Sequence, residues 1–188
     1  MLAALSLFLV GSASAFRISR AFGLGRTLTT TSETTMMADF YSIVEKDSKG
    51  NDFSFDKLRG KVVYGVNVAS KCGYTASGYA LLERVSAMKE KGVEVLILPC
   101  NQFGGQEPGS ASEIEAFCAI KNVKGANILT KADVNGPATR PTYKHLKEKG
   151  VLGDIAWNFA GAFIVDKSGN AVAVKDSKSV EAQISKLL

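Results

Sequence analysis

Cysteine, histidine and proline are scarce in this sequence: three, one and four residues among 188. Three cysteines cannot form a disulfide framework, and the odd number leaves at least one thiol free. The single histidine, His145, works against both a multi-histidine metal site and a Ser-His-Asp triad. Three cysteines plus that histidine lack the paired C-x2-C spacing usual in zinc sites. Dense basic runs are missing too, so the net charge of +5 carries no nucleic-acid signature. Hydrophobic residues are 46% and charged residues 22%, ordinary values for a globular chain long enough to bury a core.

The first 36 residues read as an address and not as part of the fold. LAALSLFLV, residues 2–10, is apolar but far short of the about 20 residues that span a bilayer. Ala13-Ser14-Ala15 fits the small-x-small rule for signal-peptide cleavage, although the preceding residues carry no Lys or Arg. Residues 16–36 are rich in Arg, Ser and Thr with Glu33 as their one acid, which is transit-peptide composition. A signal peptide of about residues 1–15, then Phe16, then an acid-poor segment resembles the two-part leader of algae with complex plastids. The expected location is a plastid, with secretion or the endomembrane system and mitochondrial import as alternatives. Losing this leader removes Arg17, Arg20, Arg26 and Glu33 and lowers the net charge by two.

From residue 37 onward the pattern is α/β. Tyr41–Glu45 and Phe53–Phe55 flank a turn at Asp47–Asn51 and predict an N-terminal β-hairpin. KVVYGVNVA (61–69) and VEVLIL (93–98) read as strands buried on both faces. Between them, Leu81, Leu82, Val85 and Met88 repeat at helical spacing, predicting a helix from Ala76 to Lys91 that Gly92 ends. Ser110 and Glu113 form a capping box for a helix over 111–121. A helix is expected over Tyr143–Lys149, a strand pair at Ala162–Asp166 and Ala171–Val174, and a last helix over Val180–Leu187. Strands alternating with helices, then an antiparallel pair, predict a central mixed sheet flanked by helices, the thioredoxin-like order.

Cys72 lies just past one buried strand and just before a helix. The partial positive charge of a helix N-terminus favours thiolate, and Lys71 adds to it. Thiolate is the form that attacks a peroxide oxygen or a disulfide sulfur. The local motif is C-G-Y-T, so Thr75 stands where a C-x-x-C pair would carry its second sulfur. The bland alternative is a buried structural cysteine, which is also the reading for Cys100 at the end of an apolar strand. His145 reads as an ordinary helix-surface residue.

Four blocks carry a resemblance. NVASKCGYT (67–75), LPCNQFGGQEPGS (98–110), DVNG (133–136) and WNF (157–159) are similar, in content and order, to the signatures of the glutathione peroxidase family. The similarity covers essentially all of residues 39–175. It implies a thioredoxin-like peroxidase domain over residues 37–188 that reduces hydroperoxides and needs no cofactor. It further implies that Cys72 is the peroxidatic residue, completed by Gln106, Trp157 and Asn158. Indole and carboxamide donors suit that task because they stay neutral and stabilise charge on sulfur or on a peroxide oxygen.

Cys118 matches the resolving cysteine of thioredoxin-dependent members, with core packing as the alternative. The implied cycle oxidises Cys72 to sulfenic acid, condenses it with Cys118 and recycles the disulfide with thioredoxin. Resolution requires the 111–121 helix to unwind locally, because a disulfide needs Cα atoms within about 7 Å. A one-cysteine cycle would use glutathione at Cys72. Only 20 residues separate Gly136 from Trp157, so the long insertion of tetrameric members is absent. That points to a monomer or dimer with an open site and access to membrane lipid hydroperoxides. The R-Y-x-P-T-T-like segment of relatives is missing after Val174. Two other classes use the same residues: a low-turnover peroxide sensor or relay, and a catalytically idle binding module, against which the intact tetrad argues.

Overall fold

The computed structural model describes residues 39–188. The leader expected over residues 1–36 lies outside them. A five-stranded mixed sheet runs in the order β5-β4-β3-β6-β7. Its centre is β3 (Val62–Val68), parallel to β4 (Val93–Pro99) and antiparallel to β6 (Phe163–Val165). β5 (Asn127–Ile128) and β7 (Ala171–Ala173) form the edges. A separate hairpin joins β1 (Val44–Lys46) to β2 (Asp52–Ser54).

Every residue of β3 is buried, and its alternation divides the core in two. Tyr64, Val66 and Val68 face α1 (Thr75–Ser86), α2 (Ala111–Ile120) and α4 (Val180–Ser185). Val63 faces the other way, toward Tyr143 and Leu146 of α3 (Pro141–Glu148) and the aromatic residues Phe40 and Phe55. Helices thus cover both faces, as the sequence pattern implied. Proline at the first position of α3 costs no hydrogen bond, which is why the helix opens there.

Several elements differ from the sequence reading. Phe40–Ser42 is a 3-10 turn and the hairpin strand starts only at Val44. Adjacent residues of a strand point to opposite faces, so Phe40 and Tyr41 could not both enter one core from a strand. The turn buries both, at 1% and 3% exposure. α1 stops at Ser86 and not at Lys91, because Lys89, Glu90 and Lys91 offer no apolar side chain to the core. They form a 3-10 turn that delivers Gly92, whose carbonyl accepts the Val62 N–H at 3.0 Å. α4 likewise ends at Ser185, short of Leu187. β5 has no counterpart in the sequence reading, since two residues carry no readable period.

Candidate active site

The loop from β3 to α1 carries Cys72, and Thr75 pins it. The Thr75 hydroxyl donates to the Ala69 carbonyl at 2.7 Å and accepts the Cys72 N–H at 3.0 Å. The Thr75 N–H in turn donates to the Cys72 carbonyl at 3.0 Å. Cys72 is half-buried at the amino end of α1, and the Tyr74 N–H approaches its Sγ at 3.5 Å. A main-chain donor at a helix N-terminus complements negative charge on that sulfur.

Gln106 stands beside this loop: its carbonyl accepts the Lys71 N–H at 3.0 Å. Gly104 and Gly105 precede it with φ of +64° and +62°, a left-handed pair that residues with a Cβ adopt only at a cost. Asn158 is 2% exposed and donates through Nδ2 to Gln106 Oε1 at 2.8 Å. With Oε1 engaged, the Gln106 NH2 group is left to donate elsewhere. Trp157 is 41% exposed, and its ring tilts against Phe103 with centroids 5.7 Å apart. Gln106, Trp157 and Asn158 therefore form one cluster against the Cys72 loop.

Asn67, fully buried in β3, holds the Trp157–Gly161 segment in place. Its Nδ2 donates to the Trp157 carbonyl at 3.0 Å and its Oδ1 accepts the Gly161 N–H at 2.7 Å. Its own carbonyl accepts the Phe159 N–H at 2.8 Å. Phe159 has a left-handed φ of +65°, strained for a bulky residue, and its ring lies where a Cβ on Gly78 would stand. The sequence reading missed the positioning roles of Asn67 and Thr75. The signal for Asn67 was present: it is the one strongly polar residue between Val62 and Ala69.

Cys118 lies outside this cluster. It is 1% exposed on the inner face of α2, and its S–H meets the Tyr79 hydroxyl of α1 at 3.9 Å. Burial pushes its thiol up to about 11, with Glu107 and Glu115 adding and Tyr79 partly offsetting. Cys72 and Cys118 are both free thiols. Cys100 is fully buried, its Sγ accepting the Gln102 N–H at 3.5 Å, and burial raises its thiol as well. His145 packs against the ring of Phe40, centroids 6.2 Å apart, and is half-buried, not a plain surface residue.

A groove of about 910 Å³ runs beside Trp157 and Tyr74. Leu81, Phe159 and Val174 line it, with the exposed cations of Arg84, Lys175 and Lys178.

Comparison with known proteins gives a consistent result. A family model described as glutathione peroxidase matches residues 40–147. The chain is 48% identical over 151 residues to a protein of Arabidopsis thaliana named glutathione peroxidase 7, chloroplastic. That match covers 76% of this chain and 64% of the relative, so the chain spans just under two thirds of that relative's length. A Nicotiana sylvestris protein named as a phospholipid hydroperoxide glutathione peroxidase is 44% identical over 165 residues, covering 84% of this chain and 97% of the relative. Among solved structures, T. cruzi GPX1 superposes with a TM-score of 0.61 at 28% identity, covering 80% of this chain and 96% of that one.

Proposed function

This chain belongs to the glutathione peroxidase family, and from that premise we propose that it is a two-cysteine thiol peroxidase recycled by thioredoxin. Family membership makes it an oxidoreductase that reduces hydroperoxides. The observation that carries the finer reading is the Cys72 environment: a half-exposed sulfur at a helix N-terminus, on a loop bonded through Lys71 to Gln106, whose carboxamide Asn158 orients.

The Cys72 thiolate attacks the distal oxygen of ROOH. The S–O bond forms as the O–O bond breaks, and the leaving RO⁻ takes a proton to become water or an alcohol. The Gln106 NH2 group and the Trp157 indole hold the developing oxyanion without competing for protons, while Asn158 spends its amide on Gln106 Oε1 and the Phe103 carbonyl and so orients the glutamine. The Cys118 sulfur then displaces hydroxide from the Cys72 sulfenic acid, giving a disulfide and water. Thioredoxin returns both thiols by exchange. The groove beside Trp157 supports organic and lipid hydroperoxides as substrates besides hydrogen peroxide, because its apolar lining suits an acyl chain and its cations suit an anionic headgroup. Composition of residues 1–36 supports a plastid destination, tested by whether a fluorescent protein fused behind them enters plastids.

The deciding experiment treats the reduced protein with one equivalent of hydrogen peroxide, traps it with an alkylator and maps the peptides. A Cys72–Cys118 disulfide with Cys100 alkylated is the expected result. The burial of Cys118 favours one competing reading, a one-cysteine cycle with glutathione at Cys72. Sulfenic acid on Cys72 with Cys118 still alkylated would establish that cycle instead. An unchanged Cys72 would remove the peroxidase mechanism.

A further inference from the structure

Glu107 follows Gln106 directly, yet the cycle above gives it no task. It is fully buried, and neither carboxylate oxygen has a partner of good hydrogen-bond geometry among the described residues, Ser70 being the donor that comes near. Its main chain is well held: the N–H donates to Asn101 Oδ1 at 2.8 Å and the carbonyl accepts from Lys131 Nζ at 3.0 Å. The Lys131 ammonium spends a second bond on the Gly109 carbonyl at 2.7 Å, so the nearest cation serves carbonyls and leaves the carboxylate without an ion pair. Burial raises the Glu107 pKa; Ser70 and Lys131 offset only part of that rise.

This carboxylate lies at a joint. It lines a cavity of about 360 Å³ between Ser70 and Lys71 of the Cys72 loop and Glu113, Ile114 and Phe117 of α2. Ile114 and Cys118 share the inner face of α2, four residues apart. The titratable groups around Glu107 are Lys71 from the loop, Tyr79 from α1, Glu113 and Cys118 from α2, and Lys131. A buried carboxylate with no ion pair and no well-formed hydrogen bond destabilises the packing around it, and the penalty disappears when water reaches it. Opening α2 would admit that water.

We propose that Glu107 is a positioning residue for the resolving step: its carboxylate weakens the seat of α2, so that α2 opens often enough to present Cys118 to oxidised Cys72. This rests on the two-cysteine reading. Glu107 touches neither sulfur in the act; it sets the fraction of molecules with α2 open, and disulfide formation traps that fraction. The sign follows from the raised pKa. Protonation stabilises the closed seat at low pH, and the open fraction grows as pH rises through the Glu107 titration.

The test compares wild type with Glu107→Gln, which keeps the shape and removes the charge. Hydrogen exchange of the α2 amides in the reduced protein is expected to slow about tenfold in the variant, a population change of one decade. Disulfide formation after peroxide should slow by the same factor, while the variant melts at a higher temperature. Equal α2 exchange and equal disulfide formation in the two proteins would overturn the proposal. So would a variant that melts lower and loses both cysteine steps together, which is the mark of a merely structural residue. A measurement on wild type alone guards against a variant that fails to fold: α2 opening, corrected for intrinsic exchange, should increase with pH across the Glu107 titration, and a flat profile refutes the idea. If wild type never forms the Cys72–Cys118 disulfide, the two-cysteine reading fails and takes this role with it. If the disulfide forms but Glu107→Gln changes nothing, only the proposal about Glu107 fails.

Discussion

Asn158 donates its side-chain amide to Oε1 of Gln106 across 2.8 Å, tying the loop after β4 to the loop before β6. The bond also sets the Gln106 carboxamide one way round, with its NH2 group left to donate. Neither residue is thus an independent member of the cluster beside Cys72. Each fixes the orientation of the other.

Removing either partner should therefore cost about as much as removing both. Asn158→Ala and Gln106→Ala are each expected to slow oxidation of Cys72 by roughly tenfold, about 1.4 kcal/mol, and the double variant by little more. Trp157 is the one tryptophan of the chain, so stopped-flow intrinsic fluorescence after peroxide reads the site directly. A double variant whose loss equals the sum of the two singles would show that they act separately.

Asn67 makes a second demand on the same loop. Asn67→Val keeps β3 apolar but leaves the Trp157 carbonyl and the Gly161 N–H without their partner. Urea unfolding should show a loss of about 2–4 kcal/mol, from two buried hydrogen bonds and the groups stranded by their removal. Peroxidase activity measured well below the unfolding transition should fall too, because the segment that carries Trp157 and Asn158 is held by these bonds. Unchanged activity in a destabilised variant would confine Asn67 to a stability role.

The other core face depends on a buried ion pair. Glu45, from the hairpin, accepts from Arg140 Nε at 2.9 Å and Nη2 at 2.5 Å, and its second oxygen accepts the Thr142 N–H at 2.8 Å. Both side chains are almost wholly buried, at 4% and 1% exposure. Glu45→Ala strands the guanidinium and should cost about 3–5 kcal/mol. A Glu45→Met/Arg140→Met double variant should lose less than either single, because it buries no charge. Thermal melts of the three proteins decide the order.

How much of this was legible depended on what each residue had to do. Cys72, Gln106, Trp157 and Asn158 stand in blocks whose residue types suggest their chemistry, and the fold bonds Asn158 to Gln106 and Gln106 to the Cys72 loop. The mixed sheet was legible as well, because β3 and β4 are long apolar runs bounded by turn residues. Tyr41 misled because β-propensity is silent on which face must be filled, and its ring was needed in the same core as that of Phe40. The paired loops that hold the cluster were not legible, since the partners Asn67 and Gly161 lie 94 residues apart. Glu107 was invisible for another reason: in sequence it is one more acid in a polar turn, and only burial makes it unusual.

The buried thiol of Cys118 ties stability to pH and offers a test of when α2 opens. Buried against Tyr79 it is held up at about 11, whereas an exposed cysteine thiol titrates near about 8.5. The folded state thus keeps a proton that the unfolded state gives up between those values. Stability is unaffected below about pH 8.5 and is lost as pH rises toward 11, by about 3 kcal/mol if that range is fully traversed. Other groups titrate there too, so the quantity to measure is the difference between wild type and Cys118→Ala, followed by urea unfolding at several pH values. The same linkage governs the kinetics. Whether Cys118 attacks from within α2 or after α2 opens in a rapid equilibrium, the closed helix holds the proton, so disulfide formation climbs about tenfold per pH unit toward 11 by either route. Urea well below the unfolding transition separates the routes. If α2 opens first, the rate of disulfide formation rises with urea, because opening exposes surface. That is the expected result, because the buried thiol meets Tyr79 on the inner face of α2. Rapid-quench alkylation after peroxide reads the rate, and a rate unchanged by urea would place the attack inside the closed helix.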